Sequence, residues 1–503
     1  MLPTPPQTPT RLPGTVWQRK LGDTELSYFL PSRTEGVNDM YLCIDFTAPR
    51  DLVTDERVLA IWAILRTKHP LLAAEVCMQE GEYDSASFRY VAAQDAHEEL
   101  ARARENLRIS VQTKEEVILD YLNGPRLLSK EQPAYLLFGQ RDLEQAEFHF
   151  CLCTTHYLGD GMALHKTANE FFSLLGEGMC DAELFKLLDH EWTERYSTTE
   201  DHRDSPIPQP LEEKLPPLPA QSFARYAARV DYENLQRKTI GGHVMPRKKH
   251  GPRRTTVPTV PFSAEETGRA LKKCKKNGVT ISHAIFALCN MVWLGIKPAG
   301  GEDLPTMMYA AANLRSYFSS IEESHFYLAV TYFNIMLPSF IPRDLTPTQT
   351  LWLRSQSVKR QMNAVVGSKM YVSRARITAS QRASQAKTWA AEDDARDAGE
   401  SLPPSPPPTR PAHAPPKVPS NALIGLSMLG NLDAIYAHKA FPDLQLHGLT
   451  TGSRQRGGAM LLFAYTFAGK LWLSLGYDEN GFERVIVQKF WQGLLDSVRE
   501  NLL

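Results

Sequence analysis

The sequence predicts an α/β protein of mixed sheets, arranged as two lobes. Three observations point there. Runs rich in β-branched and aromatic residues alternate with segments of helical periodicity along most of the chain. A proline-dense stretch, 206–222, interrupts that alternation. On either side of it the strands and helices follow a coarsely similar order, the mark of a pseudo-duplicated chain. The length agrees, since 503 residues at 43% hydrophobic and 22% charged can fill two large cores.

Taken in order, residues 1–14 (MLPTPPQTPTRLPG) read as a loosely draped arm. Segment 39–47 is rich in β-formers. A helix follows, capped by Thr54, with Asp55 and Glu56 at its positive end and Val58, Ile61, Trp62 and Leu65 on one apolar face. His69-Pro70 stops it. Strands are expected at 71–78 and 86–92, a helix at 96–104, and strands at 107–111, 134–140 and 146–155. Leu164, Ala168, Phe171, Phe172 and Leu175 then recur at helical spacing, and Gly176 can end that helix. The N-terminal lobe is thus read as 15–205, with 206–222 as an extended connector and 223–503 as the C-terminal lobe.

In the second lobe a strand near 255–262 precedes a helix with a Ser263/Glu266 capping box and Lys272, Lys273, Lys275 and Lys276 at its negative end. Thr280 caps a buried helix through Trp293. A strand leads to Asn313-Leu314-Arg315, another spans 326–337, and a helix covers 347–366. Residues 391–420 are polar and proline-rich, and are read as a mobile excursion. The run 425–431 (GLSMLGN) is read as a loop. Strands at 445–450, 459–467 and 470–476 and a helix from Glu483 to about Asn501 complete the chain.

The formal net charge is −1, from 56 basic and 57 acidic residues, which argues against a nucleic-acid or membrane-surface partner. Seven cysteines without a CxxC pair argue against a disulfide framework and for a reducing compartment, the cytoplasm. The N-terminus lacks an apolar secretory core. The longest apolar stretch, 284–296, is too short to span a bilayer.

The most informative six residues are His156-Tyr157-Leu158-Gly159-Asp160-Gly161, an H-x-x-x-D-G pattern between a strand and a helix. With 14 histidines and 30 glycines, chance supplies such a match in about 4% of chains this long. The strand–turn–helix setting raises its weight. An imidazole at a strand end can accept a proton at neutral pH and return it. Gly159 and Gly161 are read as clearance for a substrate. Asp160 can orient the imidazole or brace the turn against a distant cation. The brace is favoured, with Arg315 as the partner, because a guanidinium matches a carboxylate. His149, Cys151 and Cys153 share a strand face, but their spacing is too short to wrap a tetrahedral metal, so packed side chains are expected and no metal. The basic run at Arg247 and Lys248, with Arg253 and Arg254, can hold cofactor phosphates or form a solvated loop.

HYLGDG with its following helix MALHKTANEFFSLL resembles the active-site motif of the CoA-dependent acyltransferase superfamily, which includes BAHD acyltransferases, chloramphenicol acetyltransferase and peptide-synthetase condensation domains. The likeness extends to LRTKHPLLAAEV (65–76), NGPRLLS (123–129), KKNGVTISHAIFAL (275–288), AANLRSYF (311–318), SMLGNLD (427–433) and YTFAGKLWLSLGYDENGF (465–482). Within the superfamily the chain resembles fungal trichothecene 15-O-acetyltransferase-like enzymes. The resemblance implies two chloramphenicol-acetyltransferase-like lobes with a channel between them. It implies acetyl-CoA as co-substrate, a small hydroxylated acceptor such as a terpenoid, and a monomer. It makes His156 the general base and Asp160 structural, beside Gly161. Ser427 or an amide of the 451–458 loop is then a candidate oxyanion donor. Arg247, Lys248, Ser427 and Arg454 are candidates for holding CoA. Two departures matter. The DFGWG motif of plant BAHD enzymes is replaced by TTGSRQRGGAMLLF, and Thr155 stands where condensation domains usually carry a second histidine. The alternatives are a condensation-like enzyme fed by a carrier protein and a non-catalytic small-molecule binder.

Overall fold

Among the described residues the strands form three sheets. The computed structural model describes residues 10–12, 16–142, 146–196, 205–218, 221–298, 303–318, 323–399 and 418–503. The first large sheet has five strands in the order Gln445–Ser453, Met40–Thr47, Glu147–Thr154, Ala134–Asp142, Leu107–Ser110. Its central strand, Glu147–Thr154, is buried on both faces. Alternate side chains therefore enter different cores. Phe148, Phe150 and Leu152 join the main hydrophobic core, while Cys151 and Cys153 join a smaller cluster with Tyr41 and Cys43. The His149 ring fills the space over Gly139, where any Cβ would collide with it. These side chains pack as expected, and all seven cysteines are free thiols.

Helix Gly161–Gly176 lies on this sheet through aromatic contacts, with Phe150 and Phe171 centroids 4.7 Å apart and Phe46 and Phe172 5.1 Å apart. The second large sheet orders Thr259–Pro261, Lys470–Asp478, Met460–Phe467, Ala422–Asn431, Thr306–Asn313 and Val330–Leu337, with Thr255–Thr256 beside Lys470–Asp478. Ala422–Asn431 runs parallel to both of its neighbours. The run read as a loop at 425–431 is thus part of an interior strand, paired on both edges. A four-stranded sheet joins Thr10–Leu12, Val16–Lys20, Ser87–Val91 and Glu75–Cys77.

Other expectations are revised. Thr10–Leu12 of the supposed arm pairs antiparallel with Val16–Lys20, while 1–9 and 13–14 lie outside the described residues. The strand expected at 71–78 shrinks to Glu75–Cys77, because Pro70–Leu72 forms a 3₁₀ turn. The strand expected at 326–337 begins only at Val330. The connector does not stay extended, since Leu211–Lys214 forms a short helix, and Ile207, Leu211 and Leu215 enter the main core. Helix Tyr371–Asp397 runs into the supposed excursion, of which 400–417 lie outside the described residues. Its buried stripe is Ala375, Ala379, Ala383, Ala386 and Ala390; these small side chains let it lie close against helix Asp23–Ser32. Strand Gln445–Ser453, from the second half of the chain, completes the first half's sheet by pairing with Met40–Thr47. No single helix among the described residues is long and apolar enough to cross a membrane.

Candidate active site

His156 sits in the turn between the central strand Glu147–Thr154 and helix Gly161–Gly176. Its Nδ1 lies 3.0 Å from the Gly159 carbonyl oxygen. A carbonyl can only accept, so Nδ1 carries the hydrogen and Nε2 keeps the lone pair. The ring stacks on Tyr28, with centroids 4.0 Å apart and planes at 23°. Burial lowers the affinity of the imidazole for a proton. The Arg382 charge acts in the same direction, and together they outweigh the opposing pull of backbone hydrogen bonds and Asp160. The ring is therefore neutral at pH 7.

Asp160 caps the same helix by accepting from the Ala163 amide at 3.1 Å. Arg315 Nη1 lies 3.0 Å from its Oδ1 and 2.8 Å from its Oδ2, and the Ala329 amide donates to Oδ2 at 2.8 Å. Burial would raise this carboxyl, but Arg315 and the two amides bring it below its ordinary value. Both oxygens are thus engaged away from His156, whose Nδ1 takes a carbonyl instead. Among the described residues its contacts brace the turn, and none of them reaches His156. The residues it joins are far apart in sequence, so the brace also ties the motif to the second half of the chain.

A cavity of about 730 Å³ opens against His156, lined from both halves of the chain. Gly161 and Ser427 line it; Arg247, Lys248 and Arg454 do not. Lys248 is 3.7 Å from Glu483 at the surface, and Arg454 is buried with its Nε donating to the Leu122 carbonyl at 3.1 Å. The absent Gly159 side chain makes room for Phe326 and Ala163, each within about 3.1 Å of a Cβ built there, and not for a substrate.

Among the lining residues that sequence reasoning missed are these four. Tyr28 comes from helix Asp23–Ser32, and its hydroxyl is bonded to that of Tyr332. Arg382 lies over both tyrosine rings, 5.4 Å from the Tyr28 centroid and 4.5 Å from that of Tyr332. His165 is the fourth, with Nδ1 2.8 Å from the Tyr436 hydroxyl. Its position, one helical turn beyond Gly161, was the available signal.

Several groups set the pH response. Burial brings His165 down to about 3; burial and then the neighbouring His69 bring His325 down to about 3. Glu170 accepts from His69 Nε2 at 2.6 Å and from Lys68 at 2.8 Å. Burial opposes its ionisation, but His69, His325 and Lys68 bring it down to about 2. His69, Glu170 and His325 gather three ligand-type atoms within 4.8 Å, already engaged by these contacts. For all three shifted groups the unfolded chain binds more protons, so their stabilisation is lost as pH falls. Asp39 and Glu212 run the other way, raised by burial to about 6 and about 7, and their contribution is lost as pH rises. Below the ordinary carboxylate values the second set no longer acts, while Glu170, brought down to about 2, still does. Calorimetric Tm is therefore expected to fall as pH drops from about 4.5 to 3. A Tm unchanged over that range would contradict this assignment.

Among solved structures, the chain is similar to the trichothecene 15-O-acetyltransferase TRI3 of Fusarium sporotrichioides, at 14% identity and a TM-score of 0.72, covering 98% of this chain and 99% of that one. It is also similar to the condensation domain of the monacolin K polyketide synthase MokA, at 11% identity and a TM-score of 0.58, covering 99% of both chains. This protein has their two-lobed fold. Polyketide synthase associated protein 5 of Mycobacterium tuberculosis shares it, at 12% identity and a TM-score of 0.57, over 97% of this chain and 99% of that one. No protein-family model and no curated protein sequence matches the chain. The likeness spans both lobes end to end, and it accounts for the mixed sheets and for a cavity walled from both halves.

Proposed function

We propose that the protein is an acyl-CoA-dependent O-acyltransferase that moves an acetyl group from acetyl-CoA to a hydroxyl of a small secondary metabolite such as a terpenoid. The observation that carries this reading is an imidazole whose Nδ1 donates to the Gly159 carbonyl and whose Nε2 has no hydrogen-bond partner among the described residues, beside a cavity walled by both halves of the chain. The acceptor hydroxyl gives its proton to Nε2 as its oxygen attacks the thioester carbonyl. The tetrahedral oxyanion collapses, the C–S bond breaks, and the imidazolium returns the proton to the leaving CoA thiolate. Ser427, on a cavity-lining strand, is the candidate donor to the oxyanion, with the 451–458 amides as the alternative. No protein nucleophile is needed, because the thioester is already activated.

The test is incubation of the full chain with acetyl-CoA and a panel of hydroxylated terpenoids, read by mass spectrometry and by release of free thiol. Gain of one acetyl group with matching thiol release is expected. Transfer only from an acyl group presented on a carrier protein, and none from acetyl-CoA, would overturn the reading in favour of a condensation-like enzyme.

A further inference from the structure

Among the described residues, four charged side chains line the cavity: Asp160, Arg315, Arg382 and Arg456. Asp160 and Arg315 neutralise each other. Arg456, at the exposed rim, lies 4.8 Å from the Trp389 ring. Arg382 is placed differently. It comes from helix Tyr371–Asp397 and sits over Tyr332 and Tyr28, so the faces of those rings fix its guanidinium. Among the described residues it makes no ion pair, and its Nε is buried with no hydrogen-bond partner. A buried donor left unpartnered is costly, and a ligand that accepts from it removes that cost.

We propose that Arg382 holds a carboxylate of the substrate inside the cavity, one aromatic ring away from His156. This rests on the acyl-transfer reading for its choice of ligand. The Tyr28 ring touches both residues, stacking on His156 and lying under Arg382. One molecule can thus present a hydroxyl or thioester carbonyl to the imidazole and an anion to the guanidinium. The CoA diphosphate does not fit that position, because the pantetheine arm keeps it far from the thioester carbon. The carboxylate belongs either to a hydroxy-acid acceptor or to the free end of a dicarboxylic acyl group. A guanidinium edge binds either through paired, charge-assisted hydrogen bonds. Occupation also has a consequence for the base. A carboxylate there neutralises the charge that disfavours protonation of His156, so proton uptake becomes easier when substrate is present.

The experiment compares benzoate with neutral benzamide by calorimetric titration of the full chain, as wild type, Arg382→Gln and Arg382→Lys. The wild type is expected to prefer benzoate by about ten- to a hundredfold. Arg382→Gln removes the preference and Arg382→Lys keeps part of it. Equal binding of the two probes, binding of neither, or a preference surviving in Arg382→Gln overturns the proposal. If Arg382→Gln does not fold, Arg382→Lys alone decides, because a preference at its full wild-type size overturns it as well. Two further pairs identify the source: succinyl-CoA against butyryl-CoA in binding, and 3-hydroxybenzoate against 3-hydroxybenzamide in acetyl transfer. Arg382→Gln is expected to abolish the advantage of the charged member in one pair; an advantage unaltered in both overturns the proposal. A wild type that binds no acyl-CoA yet keeps the benzoate preference would sink the acyl-transfer reading and leave the carboxylate site standing.

Discussion

Replacing His156 by alanine is expected to lower acyl transfer about 10²–10⁴-fold while the protein stays folded and still binds its acceptor. The reason lies in the two ring nitrogens. Nδ1 is committed to the Gly159 carbonyl 3.0 Å away, so only Nε2 can take the acceptor proton, and alanine offers neither nitrogen. The pH profile gives an independent check. Burial, reinforced by Arg382, places the proton affinity of this imidazole below its ordinary value. Since the base must be unprotonated, kcat/KM is expected to be flat above pH 6.5 and to fall only on the acid side of it. Thiol release monitored across pH measures this directly. Near-full turnover by His156→Ala, or an inflection above pH 6.5 in the wild type, would remove His156 from the role of base.

The parts of this site that were legible in the sequence are those whose chemistry is local. H-x-x-x-D-G carries its own strand, turn and helix cap, and ANLR ends a strand that can reach it. The Asp160–Arg315 pair followed from the place of Arg315 at a strand end and from the match of a guanidinium to a carboxylate. The residues that shape the cavity were hidden for particular reasons. Helix Asp23–Ser32, which carries Tyr28, is buried nearly all round and holds Pro31, so neither periodicity nor proline placement marks it as a helix. Helix Tyr371–Asp397, which carries Arg382, buries alanines, and a stripe of alanine gives little amphipathic signal beside its charged faces. Strand Gln445–Ser453 was recognisable as a strand. Its pairing with Met40–Thr47 instead of a neighbour in sequence is a tertiary choice, fixed where the lobes meet by contacts such as Thr451 Oγ1 donating to the Tyr41 carbonyl at 2.9 Å. The run 425–431 was misread as a loop because Asn431 follows Gly430; within the strand, Gly425 makes room for the Tyr309 ring, which a Cβ would strike.

Removing the Asp160 carboxylate is expected to cost about 3–5 kcal/mol of folding stability, because it leaves the Arg315 charge buried without its partner. The two side chains are 4% and 12% exposed, so water can do little to replace the lost contact. The Ala163 amide loses its cap and the Ala329 amide loses its acceptor, which adds to the loss and loosens the first turn of the helix beside His156. Denaturant unfolding of Asp160→Ala against wild type measures the effect. Asp160→Asn separates the contributions, since an amide oxygen can still cap Ala163 but brings no charge to Arg315. The double replacement Asp160→Ala with Arg315→Leu is expected to be less destabilised than Asp160→Ala alone, because no unpaired guanidinium remains. If Asp160→Ala instead melts like the wild type but has lost turnover, the carboxylate acts on the imidazole and not on the join between the lobes. The hydrogen bonds point the other way: every Asp160 oxygen contact reaches Arg315 or a backbone amide, and the nitrogen that an orienting carboxylate would need is already held by Gly159.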